Sequence, residues 1–235
     1  MPKYNYDDYI KLMRPIPNNF TMDKYGIPYI KKYDIDISNV NNGKWLINIE
    51  NTNKSDKNAK VKIVHNFKFD DNLNRLYNNP IKYLERVSNY YATSTMDFSM
   101  HPNMSKSQII DATFKNRWSG IWLQQNGYNN VIVTVGWVLE DTYDICFSGI
   151  VDGNVLMIST IGCNNEESYQ IFINGYKELR KRFPSSKLIC VGTRLDGMDD
   201  DICYVSYVQS FGNFDKYRSY WQPRLFNWYG TGGDF

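Results

Sequence analysis

The stretch that decides the fold is FKNRWSGIWLQQNGYNNVIVTVGW, residues 114–137. Its first half carries Phe114, Trp118, Ile121 and Trp122 on one helical face, continuing from Ile110, and Gly127 ends that face as a C-terminal glycine does. Ser105 followed by Gln108 marks where the helix starts, because a serine hydroxyl and a glutamine three residues on cap each other's backbone amides. Its second half, NVIVTVGW (130–137), is apolar on consecutive positions, the mark of a strand buried on both faces. A helix feeding directly into a doubly buried strand predicts a parallel sheet with helices between its strands.

Working outward, the same alternation repeats. Strand-like runs fall at Lys44–Ile49, Val61–Phe67, Thr93–Phe98, Val155–Ile161, Lys187–Val191 and Ile202–Val208. A helical face of Ile81, Leu84, Val87 and Tyr91 follows Pro80, a residue suited to a first turn, and another of Ile171, Phe172, Tyr176, Leu179 and Phe183 stops at Pro184. About seven strands in a chain of 235 residues predict a small or incomplete TIM-like barrel, with an open doubly wound sheet as the alternative. Residues 1–43, broken by Pro15, Pro17, Pro28 and Gly43, read as an N-terminal arm with few regular elements; 44–210 as the α/β domain; 211–235 as a tail rich in rings and arginine.

Composition narrows the function classes. With 27 basic and 25 acidic residues the net charge is +2, so no global field draws the chain to a polyanion, and binding of nucleic acid would be local. Cys146, Cys163, Cys190 and Cys203 lie in apolar runs without a C-x-x-C pair and read as reduced core residues. The N-terminus lacks a signal-like apolar segment and no run approaches the roughly 18 apolar residues of a membrane span, so a cytoplasmic protein without membrane partners is expected. No phosphate-loop, dinucleotide, nucleophile-elbow or H-E-x-x-H motif is present, and His65 and His101 stand too far apart for a paired-histidine metal motif.

In parallel α/β folds ligands bind at the carboxyl ends of the strands, where loops present side chains without disturbing the core. Those ends nominate the site. Asp97, directly after an apolar strand and beside Phe98, is partly desolvated, which raises a carboxyl pKa toward the range of a general acid or base; capping of the next helix is its structural alternative. Asp70 and Asp71 would supply a second carboxylate or help hold Mg²⁺, or else cap the following turn. His65, inside its strand, is a base or a barrel-lining hydrogen-bonding residue. Trp137 offers a wall for a ring, Ser159, Thr160 and Thr193 offer hydroxyls, and Arg117, opposite the apolar stripe of its helix, is exposed or reaches the strand ends or a phosphate. In the tail, Arg218, Trp221, Arg224 and Trp228 combine cations and rings in the manner of single-strand binders, against the plainer reading of rings packed on the domain.

At these residues the chain resembles the domain-of-unknown-function 4417 family of low-GC bacteria, their plasmids and their phages. VHNFKFDDNLNRLYNNP (64–80), MDFSMHPNM (96–104), the 114–137 stretch, CFSGI (146–150), ISTIG (158–162) and FINGYKELRKRFPSSKLICVG (172–192) are similar to its ordered blocks. Met96 and Val133 stand where the family has prolines, and Ser148 where it has an aspartate. The resemblance implies the order of elements and a mobile-element setting, with no assigned activity. Two functions follow from the residues: a hydrolase, or a glycosyl or phosphoryl transferase, acting on a nucleotide or nucleic acid through Asp97; and a non-catalytic protein binding a nucleotide or single-stranded nucleic acid.

Overall fold

In the computed structural model, which describes residues 6–38, 40 and 45–207, the strand of the 114–137 stretch spans Val131–Thr134 and is buried at all four positions. Its side chains alternate: Val131 and Val133 join the core shared with the helices, while Ile132 joins a second core with Ile63, Ala92, Val155, Met157, Ile189 and Val191. Both faces of the sheet are therefore apolar layers, as a parallel sheet requires.

Seven strands are present among the described residues: β1 (Leu46–Asn48), β2 (Ile63–His65), β3 (Ala92–Ser94), β4 (Val131–Thr134), β5 (Leu156–Ser159), β6 (Leu188–Val191) and β7 (Cys203–Val205). Every neighbouring pair is parallel and the spatial order follows the chain order from β1 to β7. The sheet curls into an open half-barrel, an incomplete TIM-like arrangement. A doubly wound sheet needs a point where the strand order reverses, and this order has none.

The helices are α1 (Tyr6–Met13), α2 (Asp70–Tyr77), α3 (Pro80–Val87), α4 (Lys106–Gln125), α5 (Tyr143–Cys146) and α6 (Glu166–Arg182). Ser105 and Gln108 form the capping box of α4, and Gly127, at φ +83°, closes its far end. Asn165 and Ser168 form another box at the start of α6. The arm holds α1, and from Arg14 onward it wraps α4. Trp118 donates to the Pro15 carbonyl, Gln124 exchanges two bonds with the Lys31 backbone, and Ile30 sits where a side chain on Gly120 would go. Further along, Ile35 and Val40 enter the second core, where the Tyr91 hydroxyl accepts from the Asp36 amide just before β3. The arm thus covers the amino ends of the strands and leaves their carboxyl ends open.

Cys146, Cys190 and Cys203 are buried and Cys163 half-buried, all as free thiols. Burial pushes the Cys190 thiol up to about 12 and those of Cys163 and Cys203 up to about 11, so none of these three supplies a thiolate near neutral pH.

Candidate functional site

Two connected compartments open at the carboxyl ends of the strands. The first, about 290 Å³, is lined by Phe67, Lys68, Asp97, Ser99 and Tyr207 among others; the second, about 340 Å³, by Met100, His101, Trp137, Cys163 and Phe172. Val135, Gly136, Ser159 and Ile161 line both, so the two form one cleft with a shared wall.

Asp97 is the carboxylate of this cleft. It follows β3 by three residues and lies half-buried, with no hydrogen bond to its side chain from any described residue. Desolvation first, and the neighbouring Asp70 charge second, push its carboxyl up to about 7, against a smaller opposing pull from Arg117. Its protonated and ionised forms are therefore both populated near neutral pH.

The polar groups around Asp97 are engaged elsewhere. Asp70, in the first turn of α2, accepts from the Ser99 amide at 3.0 Å and the Ser99 hydroxyl at 2.9 Å, pinning the loop that carries Asp97. Asp71 is exposed on the same turn and lines neither compartment. Ser159 donates to the Val191 carbonyl at 2.9 Å, and Thr160 to the Thr193 carbonyl at 2.8 Å, tying the end of β5 to β6 and the loop beyond it. The Thr193 side chain is exposed. Trp137 donates to the Phe172 carbonyl at 3.2 Å and packs on the rings of Phe147 and Phe172. It sits where a side chain on Gly175 would go, so it forms one fixed wall of the second compartment. His65 is fully buried inside the half-barrel, its ring centroid 5.7 Å from that of Phe67, and does not line the cleft.

Arg117 corrects the reading of its helix as one-sided. It is 1% exposed, on a helix buried around most of its girth, and is enclosed by the carboxyl end of β4 and the end of α5 with the chain after it. Its guanidinium donates to the carbonyls of Ser148 at 2.8 Å, Thr134 at 3.0 Å and Cys146 at 3.0 Å, and to the Asn116 side chain. Those bonds hold the carboxyl end of β4 to the chain after α5. Burial lowers its pKa to about 10, and it remains a cation at neutral pH. Ser148, where the resembling family has an aspartate, donates to Asp23 of the arm and to the Asp144 carbonyl; it lines neither compartment, so that replacement leaves the cleft's acidic content unchanged.

Among the described residues no three His, Cys, Asp or Glu side chains gather as a metal site. Asp199 and Asp201, in the acidic turn before β7, pair with Arg180, and Asp200 pairs with Arg194. No helix among the described residues is long and apolar enough to cross a membrane. Arg218, Trp221, Arg224 and Trp228 lie outside the described residues. Cleft residues that strand-end reasoning did not name include Lys68, His101 and Tyr207. Lys68 sits within two positions of Asp70, so proximity to a strand-end carboxylate is the signal that marks it.

The half-barrel and its cleft define an α/β protein of incomplete TIM-like type with a strand-end site. The chain belongs to the family described as domain of unknown function (DUF4417), which matches residues 20–211. It is similar to the gene 1 protein of Mycobacterium phage L5, at 30% identity over 162 residues covering 68% of this chain and 66% of that protein. The gene 1 protein of Mycobacterium phage D29 is likewise 30% identical, over 68% of this chain and 56% of its own length. The chain thus spans less than two thirds of the length of either relative. No solved structure matches it.

Proposed function

We propose that the strand-end cleft binds a nucleotide or a nucleic-acid component and that Asp97 handles the proton of a hydrolysis or group transfer at its glycosidic or phosphoester bond. The observation that carries this is a half-buried carboxylate facing the cleft, without a hydrogen-bond partner in the described protein and with its pKa pushed up to about 7. Such a group donates a proton below that pH and accepts one above it. The relatives are phage proteins, which supports a role in a phage or another mobile element.

The test is to incubate the full chain with nucleosides, nucleotides and short oligonucleotides and to follow release of base or phosphate by chromatography. Asp97→Asn is expected to abolish release while ligand binding persists and Tm does not fall. Release that survives the substitution removes Asp97 from the chemistry, and a large fall in Tm reassigns it as a structural cap.

Asp70 favours a second reading. Its engagement with Ser99 leaves a single open carboxylate, an arrangement suited to holding a ligand without turning it over. In that reading the cleft, or the 211–235 segment with Arg218, Trp221, Arg224 and Trp228, binds nucleotide or single-stranded nucleic acid. Binding of a labelled oligonucleotide that vanishes on deleting 212–235 assigns it to the tail; binding that survives the deletion assigns it to the domain.

A further inference from the structure

The two compartments differ in chemistry although they share a wall. The first presents Asp97, Lys68, Ser99 and Tyr207, groups that exchange hydrogen bonds with hydroxyls, and Lys68 is already neutralised by Glu50 at 2.5 Å. It is polar without a strong positive field. The second is walled by Met100, Pro102, Trp137, Val138, Ile171 and Phe172, and suits a flat or apolar group. Each is near the lower end of the roughly 300–1,000 Å³ of small-ligand pockets, so one small ring system fills each.

Where they meet stands Gly136. A Cβ at this position would lie 3.1 Å from Met100 Cε and 3.9 Å from Asp97 Oδ1, that is, between a residue of the second compartment and the carboxylate of the first. Its φ is not positive, so backbone conformation does not demand glycine. The missing side chain instead keeps the passage open. Ile161, 41% exposed, borders the same passage from outside.

We infer that the cleft takes a two-part ligand of nucleoside type, with the flat ring against Trp137 and Phe172, the hydroxylated ring beside Asp97, and Gly136 as the gate through which the bond between them passes. This rests on the reading of the strand-end cleft as the ligand site and narrows it to a mononucleoside or its monophosphate. In this pose the bond joining the two rings lies near Asp97, within reach of the group that a glycosidic reaction would use.

Calorimetric titration of the full chain with the four ribonucleosides, their 5′-monophosphates, the free bases and ribose tests it. At least one nucleoside, or its monophosphate, is expected to bind about tenfold or more tighter than its base or ribose alone. Gly136→Val is expected to reduce the nucleoside to the affinity of its halves. Ile161→Trp, at a half-exposed position with little folding cost, is expected to do the same and guards against a misfolded valine variant. Nucleoside binding no tighter than that of the base, or unchanged in both variants, overturns the two-part reading. If Trp137→Leu still weakens binding in that case, the cleft remains the ligand site; if nothing binds, or Trp137→Leu is without effect on what does, the cleft reading falls as well.

Discussion

Arg117 and Asp97 lie close enough for each charge to act on the other, one behind β4 and one in front of it, yet the protein uses them in opposite ways. Behind the strand, every bond of the guanidinium is spent on three backbone carbonyls and a side-chain amide. In front, the carboxylate receives no hydrogen bond from the described residues. A saturated buried charge is a structural clamp; an unsaturated one bordering a cleft is a group kept for a ligand. The difference teaches that burial alone does not mark function, and that what distinguishes the two regions is whether the polar group has been used up.

The strongest way to break this contrast is to remove the clamp. Arg117→Met keeps the bulk of the side chain but orphans the carbonyls of Thr134, Cys146 and Ser148, so we expect a loss of about 3–5 kcal/mol in urea denaturation. A loss below about 1 kcal/mol would mean that water replaces the guanidinium, and the clamp assignment would fail. Next comes the fixed wall of the cleft. A Cβ on Gly175 would overlap the indole of Trp137, so Gly175→Ala is expected to push that ring off α6 and cost about 1–3 kcal/mol, read as a fall in the denaturation midpoint. An unchanged midpoint with unchanged indole fluorescence would show that Trp137 relaxes freely.

The carboxylate itself gives a smaller effect with a diagnostic sign. The folded pKa of Asp97, about 7, lies above the ordinary value of about 3.9, so the unfolded chain ionises first as pH rises. The contribution of Asp97 to wild-type stability therefore falls between about pH 4 and pH 7 and levels off above that. An asparagine side chain does not titrate, so relative to wild type Asp97→Asn gains across that window. Since the carboxylate borders the cleft and is only partly dried, the gain at pH 8 is expected at about 1–2 kcal/mol, vanishing near pH 4. Parallel pH–stability curves for the two proteins would show that Asp97 is solvated and would remove the physical basis for its role.

These contrasts set what the sequence discloses apart from what it does not. All seven strands overlap the runs marked for them; six lie inside their runs, and β3 starts one residue before its run, at Ala92, and ends at Ser94. The start of α4 at Lys106 is legible because Ser105 and Gln108 cap it through local bonds, and Asp97 is legible because it lies near the end of the run that marks β3. Helix α2 is less so, since Asp70–Tyr77 is mostly polar and its helix rests on Leu73, Leu76 and Tyr77 packing into the core. Arg117 is not legible at all. Its burial depends on carbonyls 17, 29 and 31 residues later in the chain, and no local pattern announces that Thr134, Cys146 and Ser148 will converge on it. Nor does spacing along the chain reveal that Ser159 and Thr160 spend their hydroxyls on neighbouring carbonyls.

That last pair carries the finest test of the contrast. Thr160 is buried and its hydroxyl reaches the Thr193 carbonyl at 2.8 Å, whereas the Thr193 side chain itself is exposed and contributes its backbone. Thr160→Val retains shape and loses that one bond, leaving the carbonyl without it, so we expect a cost of about 1 kcal/mol. Thr193→Ala retains the carbonyl and removes only an exposed side chain, so a change within about 0.5 kcal/mol is expected. If instead Thr193→Ala leaves stability untouched but weakens nucleoside binding, the exposed hydroxyl reaches a ligand on the rim. Thr193 would then join Asp97 among the groups the fold leaves unspent, and Thr160 would remain with Arg117 among those it has used.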